Sequence, residues 1–203
     1  MTEILIKQGA RILTPDEYRT LRSALNAKHK LIFDGMLFSG MRIAEFWRFT
    51  EHPQWFHPGR QYIDLPKGAS LKKKAKMQER MIMLSHMGNR AIEDLVDAIN
   101  RGEIEKISRV GWNDNLKRAA INSGLDLKGI VPKMTRKTWV SWLMVTYPED
   151  GLRVAASSGH DTKTMQYHYL NLPFSRQEQQ EIKGYVIGWG GRHETARNNG
   201  GLP

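Results

Sequence analysis

The chain has 203 residues, enough for one large domain or two small ones, and its 40% hydrophobic content can fill a core. It has no cysteine, which excludes a disulfide framework, a thiolate nucleophile and thiolate zinc sites. Lys and Arg outnumber Asp and Glu by 31 to 21, a net charge of +10. Such a surplus gathers polyanions and favours nucleic acid over a membrane surface or a ribosome as partner. No apolar run approaches the about eighteen residues of a membrane span, and the N-terminus lacks the pattern of a signal peptide. The expectation is a soluble, intracellular chain, cytoplasmic if the source is a prokaryote or its virus.

Residues 1–13 are short and mixed and read as an extension or linker remnant. Thr14-Pro15-Asp16-Glu17 is a helix start: Thr14 caps, Pro15 has a suitable fixed φ, and Glu17 closes a capping box. Tyr18, Leu21, Ala24 and Leu25 continue with helical spacing. A second helix is expected near 29–38, interrupted at Gly40, and a third over 42–49, carrying Arg42 and Glu45 one turn apart. Pro53, Pro58 and Gly59 end it. A small antiparallel sheet follows, with strands at Trp55-Phe56, Gln61 to Leu65 and Arg80 to Leu84. Between the last two strands, residues 67–76 hold five lysines and read as an exposed hairpin tip.

From residue 89 onward the pattern is helical. Ala91, Ile92, Leu95, Val96 and Ile99 form a stripe ended near Gly102. Further helices are expected over Asn113 to Asn122, capped by Asn113 or Asp114, and over Thr135 to Tyr147. Pro148 opens another through Ala155, stopped near Gly159, and the next spans Asp161 to Tyr169. Ser175 to Val186 makes the last, before a glycine-rich end. The expected fold is mainly α with a small antiparallel sheet (α+β), divided into 1–13, a principal domain over 14–170 and a tail over 171–203.

Several side chains suggest phosphoryl chemistry. A guanidinium fork matches two phosphate oxygens, so Arg42 and Arg136, each near a helix start, can stabilise charge on a reacting phosphate. Glu45 is placed to orient an arginine. A lysine on the 67–76 loop can protonate a leaving oxygen. Tyrosine has an ordinary pKa of about 10 and needs local positive charge, or a base, to act as a nucleophile. Tyr167 and Tyr169 lie two apart, so a helix sends them to different faces.

These motifs together resemble the tyrosine recombinases, or phage-type integrases. Ser39-Gly40-Met41-Arg42-Ile43-Ala44-Glu45 is similar to the family's first arginine box, Lys133-Met134-Thr135-Arg136 to its second, and Ser158-Gly159-His160 to its third, with Tyr169 at the nucleophile spacing. Thr14-Pro15-Asp16-Glu17 resembles the usual start of the catalytic domain, so the likeness covers 14–170. It implies the tyrosine recombinase catalytic-domain fold and a catalytic set of Arg42, Lys76, Lys133, Arg136, His160 and Tyr169, supported by Glu45. Lys74 is the near alternative to Lys76. Lys72, Lys73, Lys74 and Lys137 are expected to contact DNA. Lys133 stands where most members have histidine, an exchange also found in some archaeal viral integrases and in type IB topoisomerases. It would act as a phosphate ligand or a base.

The implied activity is site-specific recombination through a 3′-phosphotyrosine intermediate, with no cofactor or metal. The implied partners are double-stranded recombination sites, on which a largely monomeric protein assembles as a tetramer. A type IB topoisomerase and a non-catalytic basic DNA-binding protein are the other readings. The family's N-terminal core-binding domain has no counterpart in the sequence, so an isolated catalytic domain or a natural minimal member is expected.

Overall fold

The computed structural model describes residues 4–67, 79–160 and 172–191. Its first helix, α1 (Pro15–Ser23), starts where the sequence places it. Thr14 Oγ1 accepts the Glu17 N–H, and the Glu17 carboxylate accepts the Thr14 N–H. Asn26 caps α2 (Ala27–Ser39), whose residues from Ile32 to Ser39 are all buried. Gly40 closes α2 with φ +62°, and a Cβ there would lie 2.8 Å from the Trp139 ring. Only glycine suits both that backbone conformation and that approach. Then come α3 (Ile43–Glu51), α4 (His86–Asn100), α5 (Arg109–Asn122), α6 (Met134–Thr146), α7 (Gly151–Ser158) and α8 (Arg176–Val186).

Helices α2 and α6 cross the centre of the molecule. Helix α2 packs on α4 and α6, and α8 closes the core against α6 and α4. The α6 stretch from Met134 to Met144 is buried on all sides, so its apolar residues show little one-sided periodicity. Trp112, Trp139, Trp142, Phe33, Phe38 and Phe46 supply the bulk of the core. Tyr185 of α8 packs against Tyr18, Phe38 and Trp142, with ring centroids 5.0–6.1 Å apart.

Beside this helical body lies a three-stranded antiparallel sheet in sequence order: β3 (Phe56–His57), β4 (Tyr62–Leu65) and β5 (Arg80–Met83). Ile63 faces Ile82, and Leu65 faces Arg80. Trp55, expected in the first strand, belongs to a 3₁₀ turn opened by Pro53, which has no N–H for a ladder. On its other side, β5 packs against α7.

Three helix starts differ from the sequence expectation because a serine or a turn takes the cap. Ser85 caps α4, so it begins at His86. Ser108, not Asn113 or Asp114, caps α5 by accepting the Gly111 N–H at 3.0 Å. Pro148 opens a 3₁₀ turn, and the α-helix begins only at Gly151.

Residues 4–13, the described part of the 1–13 stretch read from the sequence as an extension or linker remnant, form a hairpin joined to the core. Strands β1 (Ile6–Lys7) and β2 (Ala10–Arg11) flank a two-residue turn with φ +48° at Gln8 and +67° at Gly9, the signs of a type I′ turn. Ala10, Ile12 and Leu13 are fully buried. Arg11 pairs with Glu17 and donates to the Asp126 carbonyl at 2.6 Å. The Leu13 N–H donates to Thr138 Oγ1 at 2.9 Å, and Trp142 Nε1–H donates to the Leu13 carbonyl at 3.0 Å. Among the described residues, no helix is long and apolar enough to cross a membrane.

Candidate active site

The first arginine box becomes the turn between α2 and α3. Arg42 is the N-cap of α3, and Glu45 sits at its third position. Glu45 is fully buried, with 0% side-chain exposure. Its carboxylate accepts the Arg42 N–H at 2.8 Å and Arg42 Nη1–H at 2.6 Å. A second guanidinium reaches it from β5: Arg80 donates to Oε1 at 3.2 Å and to Oε2 at 2.7 Å. Arg136, in the first turn of α6, approaches to 4.0 Å. Arg80 and Arg136 have side chains only 8% exposed, while Arg42 is 38% exposed. Burial alone would push the Glu45 carboxyl up. The hydrogen bonds from Arg80, with the charges of Arg80, Arg42 and Arg136, outweigh it and hold the group at about 2.

The same arginines cap the end of α7. A helix leaves its last carbonyls without intrahelical partners. Three successive ones each meet a different arginine: Ser157 O accepts from Arg80 Nε at 3.1 Å, Ser158 O from Arg136, and Gly159 O from Arg42 at 3.3 Å. Arg136 also donates to the Gly40 carbonyl at 2.8 Å. Partial negative charge at the helix C-terminus favours these cations. Gly159 has φ +63°, and a Cβ there would come within 3.0 Å of the Arg80 guanidinium. The third box thus packs directly on Arg80, a residue outside all three boxes.

His160 follows on that turn. Its Nδ1 lies 2.9 Å from Ser158 Oγ, whose hydroxyl donates to the Val154 carbonyl at 2.6 Å. A hydroxyl has one proton to give, so Nδ1 carries the hydrogen toward Ser158 and Nε2 holds the lone pair. Burial, then the charges of Arg136, Arg42, Lys137 and Arg80, push this imidazole down to about 3. It is neutral at physiological pH.

Lys133, the N-cap of α6, and Lys137, one turn further on, converge on the N-terminal hairpin. Lys133 Nζ donates to the Gln8 carbonyl at 2.6 Å, and Lys137 Nζ to Gln8 Oε1 at 2.8 Å. Lys137, expected at the DNA surface, is buried. Burial, then the charges of Lys133, Arg136 and Lys7, lower its pKa. Lys72, Lys73, Lys74 and Lys76, and Asp161 to Tyr169 with both tyrosines, lie outside the described residues. Of the expected set, the structure brings Arg42, Glu45, Arg136 and His160 to one place, adds Arg80, and puts Lys133 at the hairpin tip.

No protein-family model matches the chain, and neither does any curated protein. Among solved structures it is similar to one described as a crystal structure of XerA recombinase, with a TM-score of 0.61 and 14% identity. The match covers 91% of this chain and 66% of that one. The chain shares that recombinase's fold. It is a mainly α-helical fold with small antiparallel sheets, the architecture of a tyrosine recombinase catalytic domain. At this identity the likeness is one of fold.

Proposed function

We propose that the protein is a site-specific DNA recombinase, or integrase, that cuts and rejoins DNA through a 3′-phosphotyrosine intermediate. The observation that carries this reading is the excess of guanidinium at Glu45. Three arginines meet one carboxylate, and the helix end at Ser157–Gly159 holds them in fixed directions. A preorganised cationic site of this kind suits the charge that develops on a phosphate under attack. The XerA-type fold and the net charge of +10 support the same reading.

In this reading the Tyr169 oxygen forms a bond to a backbone phosphorus, and the bond from phosphorus to the 5′-oxygen breaks. Lys76 protonates the leaving oxygen, with Lys74 as the alternative. The tyrosine proton passes to His160 or Lys133. Neutral His160, with its lone pair on Nε2, can accept a hydrogen bond from the tyrosine hydroxyl, and the negative charge of a bound phosphate would raise its lowered pKa and make it a better proton acceptor. Arg42 and Arg136 hold the nonbridging oxygens. A 5′-hydroxyl from another strand then reverses the step, and the phosphoester energy is conserved. The catalytic unit is taken as 14–170, with 4–13 packed on it and 171–203 as the tail. Protomers assemble as a tetramer on two DNA sites.

A suicide DNA substrate tests this reading. The expected result is a covalent adduct that mass spectrometry maps to Tyr169. Tyr169→Phe should remove the adduct while DNA binding persists. A normal adduct yield from that variant would overturn the assignment. Relaxation of supercoiled DNA without strand exchange would favour the topoisomerase reading, for which Lys133 is the supporting residue.

A further inference from the structure

We propose that Arg80 is a positioning residue: it occupies the Glu45 carboxylate so that Arg42 and Arg136 keep their charge for a bound phosphate. This inference rests on the recombinase reading for its substrate, but its charge argument does not need that reading. Arg80 donates through both Nη atoms to the two Glu45 oxygens and through Nε to the Ser157 carbonyl. It is buried, and it packs under Gly159. It therefore joins β5, the start of α3 and the end of α7. Arg42, by contrast, is more than a third exposed.

The consequence is electrostatic. Without Arg80, one buried carboxylate would face Arg42 from its own helix and Arg136 from α6, with His160 beside them on the turn after α7. A buried charge takes whatever partner it can reach. Glu45 would hold Arg42, already 2.6 Å away, more tightly, draw Arg136 in from 4.0 Å, and cancel charge that a phosphate needs. Arg80 supplies the largest downward influence on the Glu45 carboxyl. Its removal leaves burial less opposed, and the Glu45 pKa must rise.

The test uses the whole 203-residue chain and three variants: Arg80→Met, Arg80→Lys and Arg80→Met with Glu45→Gln. Two readouts are taken from pH 5 to 8 at a temperature where circular dichroism shows every variant folded. One is the single-turnover cleavage rate on prebound DNA. The other is affinity for sulfate, whose charge is constant over this range, by NMR titration. Arg80→Met should lower the rate on the order of 10²-fold at pH 8, as for loss of an oxyanion donor. Glu45→Gln should restore at least ~10-fold in the Arg80→Met background, because a neutral amide cannot neutralise an arginine. Arg80→Lys should fall between wild type and Arg80→Met.

A purely structural arginine would give a deficit that Glu45→Gln does not rescue, which would overturn the proposal. Sulfate affinity should follow the same order. If wild type cuts no DNA while the sulfate pattern holds, the recombinase reading fails and the role of Arg80 stands. If wild type cuts DNA but sulfate affinity is unaffected by Arg80→Met, the role of Arg80 falls.

Discussion

Among the described residues, the buried carboxylates of Glu45 and Asp34 both meet arginines, and they behave oppositely. Glu45 meets Arg42, Arg80 and Arg136, and its pKa falls to about 2. Asp34, on α2, meets Arg22 at 2.7 Å and the Tyr18 hydroxyl at 2.8 Å. Burial pushes its pKa up, and the charge and hydrogen bonds of Arg22 with the Tyr18 bond offset this only in part. The Arg22 side chain is 41% exposed, so water screens its charge. At Asp34 one cation balances one anion, which makes a structural pair. At Glu45 three cations surround one anion, and the surplus is directed by a helix end. Excess charge held in place, rather than burial of a carboxylate, distinguishes a candidate reaction site from a structural ion pair.

The largest expected effect is on folding. Glu45→Ala would leave the buried guanidiniums of Arg80 and Arg136 facing each other without their shared carboxylate. The expected loss in urea denaturation is roughly 3–5 kcal/mol, as for other broken buried pairs. Asp34→Ala should cost less, about 1–3 kcal/mol, because Arg22 can turn to water and only the Tyr18 hydroxyl is stranded. Equal losses would erase the contrast between the two sites.

Next comes the chemistry. Arg42→Ala should reduce the cleavage rate on prebound DNA by a factor on the order of 10² or more. Arg22→Ala changes a site that does not share the Glu45 network, and its cleavage rate should stay within roughly twofold of wild type. A large effect from Arg22→Ala would mean that the two carboxylate sites are coupled.

A smaller effect is expected in the dependence of stability on pH. Glu45 and His160 both have folded pKa values below their unfolded ones. Each therefore contributes stability that is present above its unfolded value and lost as pH falls toward its folded value. For His160 the loss runs downward from 6.5 toward about 3, and for Glu45 from 4.5 toward about 2. His29, also pushed down by burial, adds to the upper window. Asp34 has the opposite sign, because its raised pKa lets the fold take up a proton before the unfolded chain does. Urea denaturation between pH 4.5 and 7 should thus show a shallower slope for His160→Gln than for wild type. An unchanged slope would mean that His160 is not held neutral.

Much of this was readable in the sequence, for physical reasons that differ by residue. The box at Thr14–Glu17 and the glycine at position 40 are local signals, set by one turn of chain, and both appear as the sequence implies. Arg42 and Glu45 are one turn apart, so their contact follows from helix geometry. Arg80 is harder, because its partner lies 35 positions away. The signal was the strand period: Ile82 points inward, so Arg80, two residues earlier, does too. The three carbonyls at the end of α7 have no side-chain signature at all. Residues 4–13 form strands of two residues each, too short for any periodicity to show.

The smallest expected effect concerns the hairpin tip, and it asks whether the lysines of α6 belong with the arginine site. Gln8 holds Lys133 through its backbone carbonyl and Lys137 through its side chain. Its φ of +48° is one that glycine adopts readily. Gln8→Gly therefore keeps the turn and the Lys133 contact and removes the side-chain oxygen that accepts from Lys137. Relief of backbone strain, about 1 kcal/mol or less, offsets part of the lost hydrogen bond to an ammonium, about 1.5–3 kcal/mol, so stability should fall by roughly 1–2 kcal/mol. Lys137 keeps its charge beside His160 and Arg136, so the cleavage rate should fall by only about threefold, far less than for loss of a donor that touches the phosphate. Gln8→Glu should raise the Lys137 pKa, because a carboxylate beside an ammonium favours its charged form. NMR of 13C-labelled lysine can follow this directly. If Gln8→Gly instead costs as much as Arg42→Ala, the hairpin is part of the reaction site, and the surplus positive charge extends from Glu45 along α6 to the N-terminal strand.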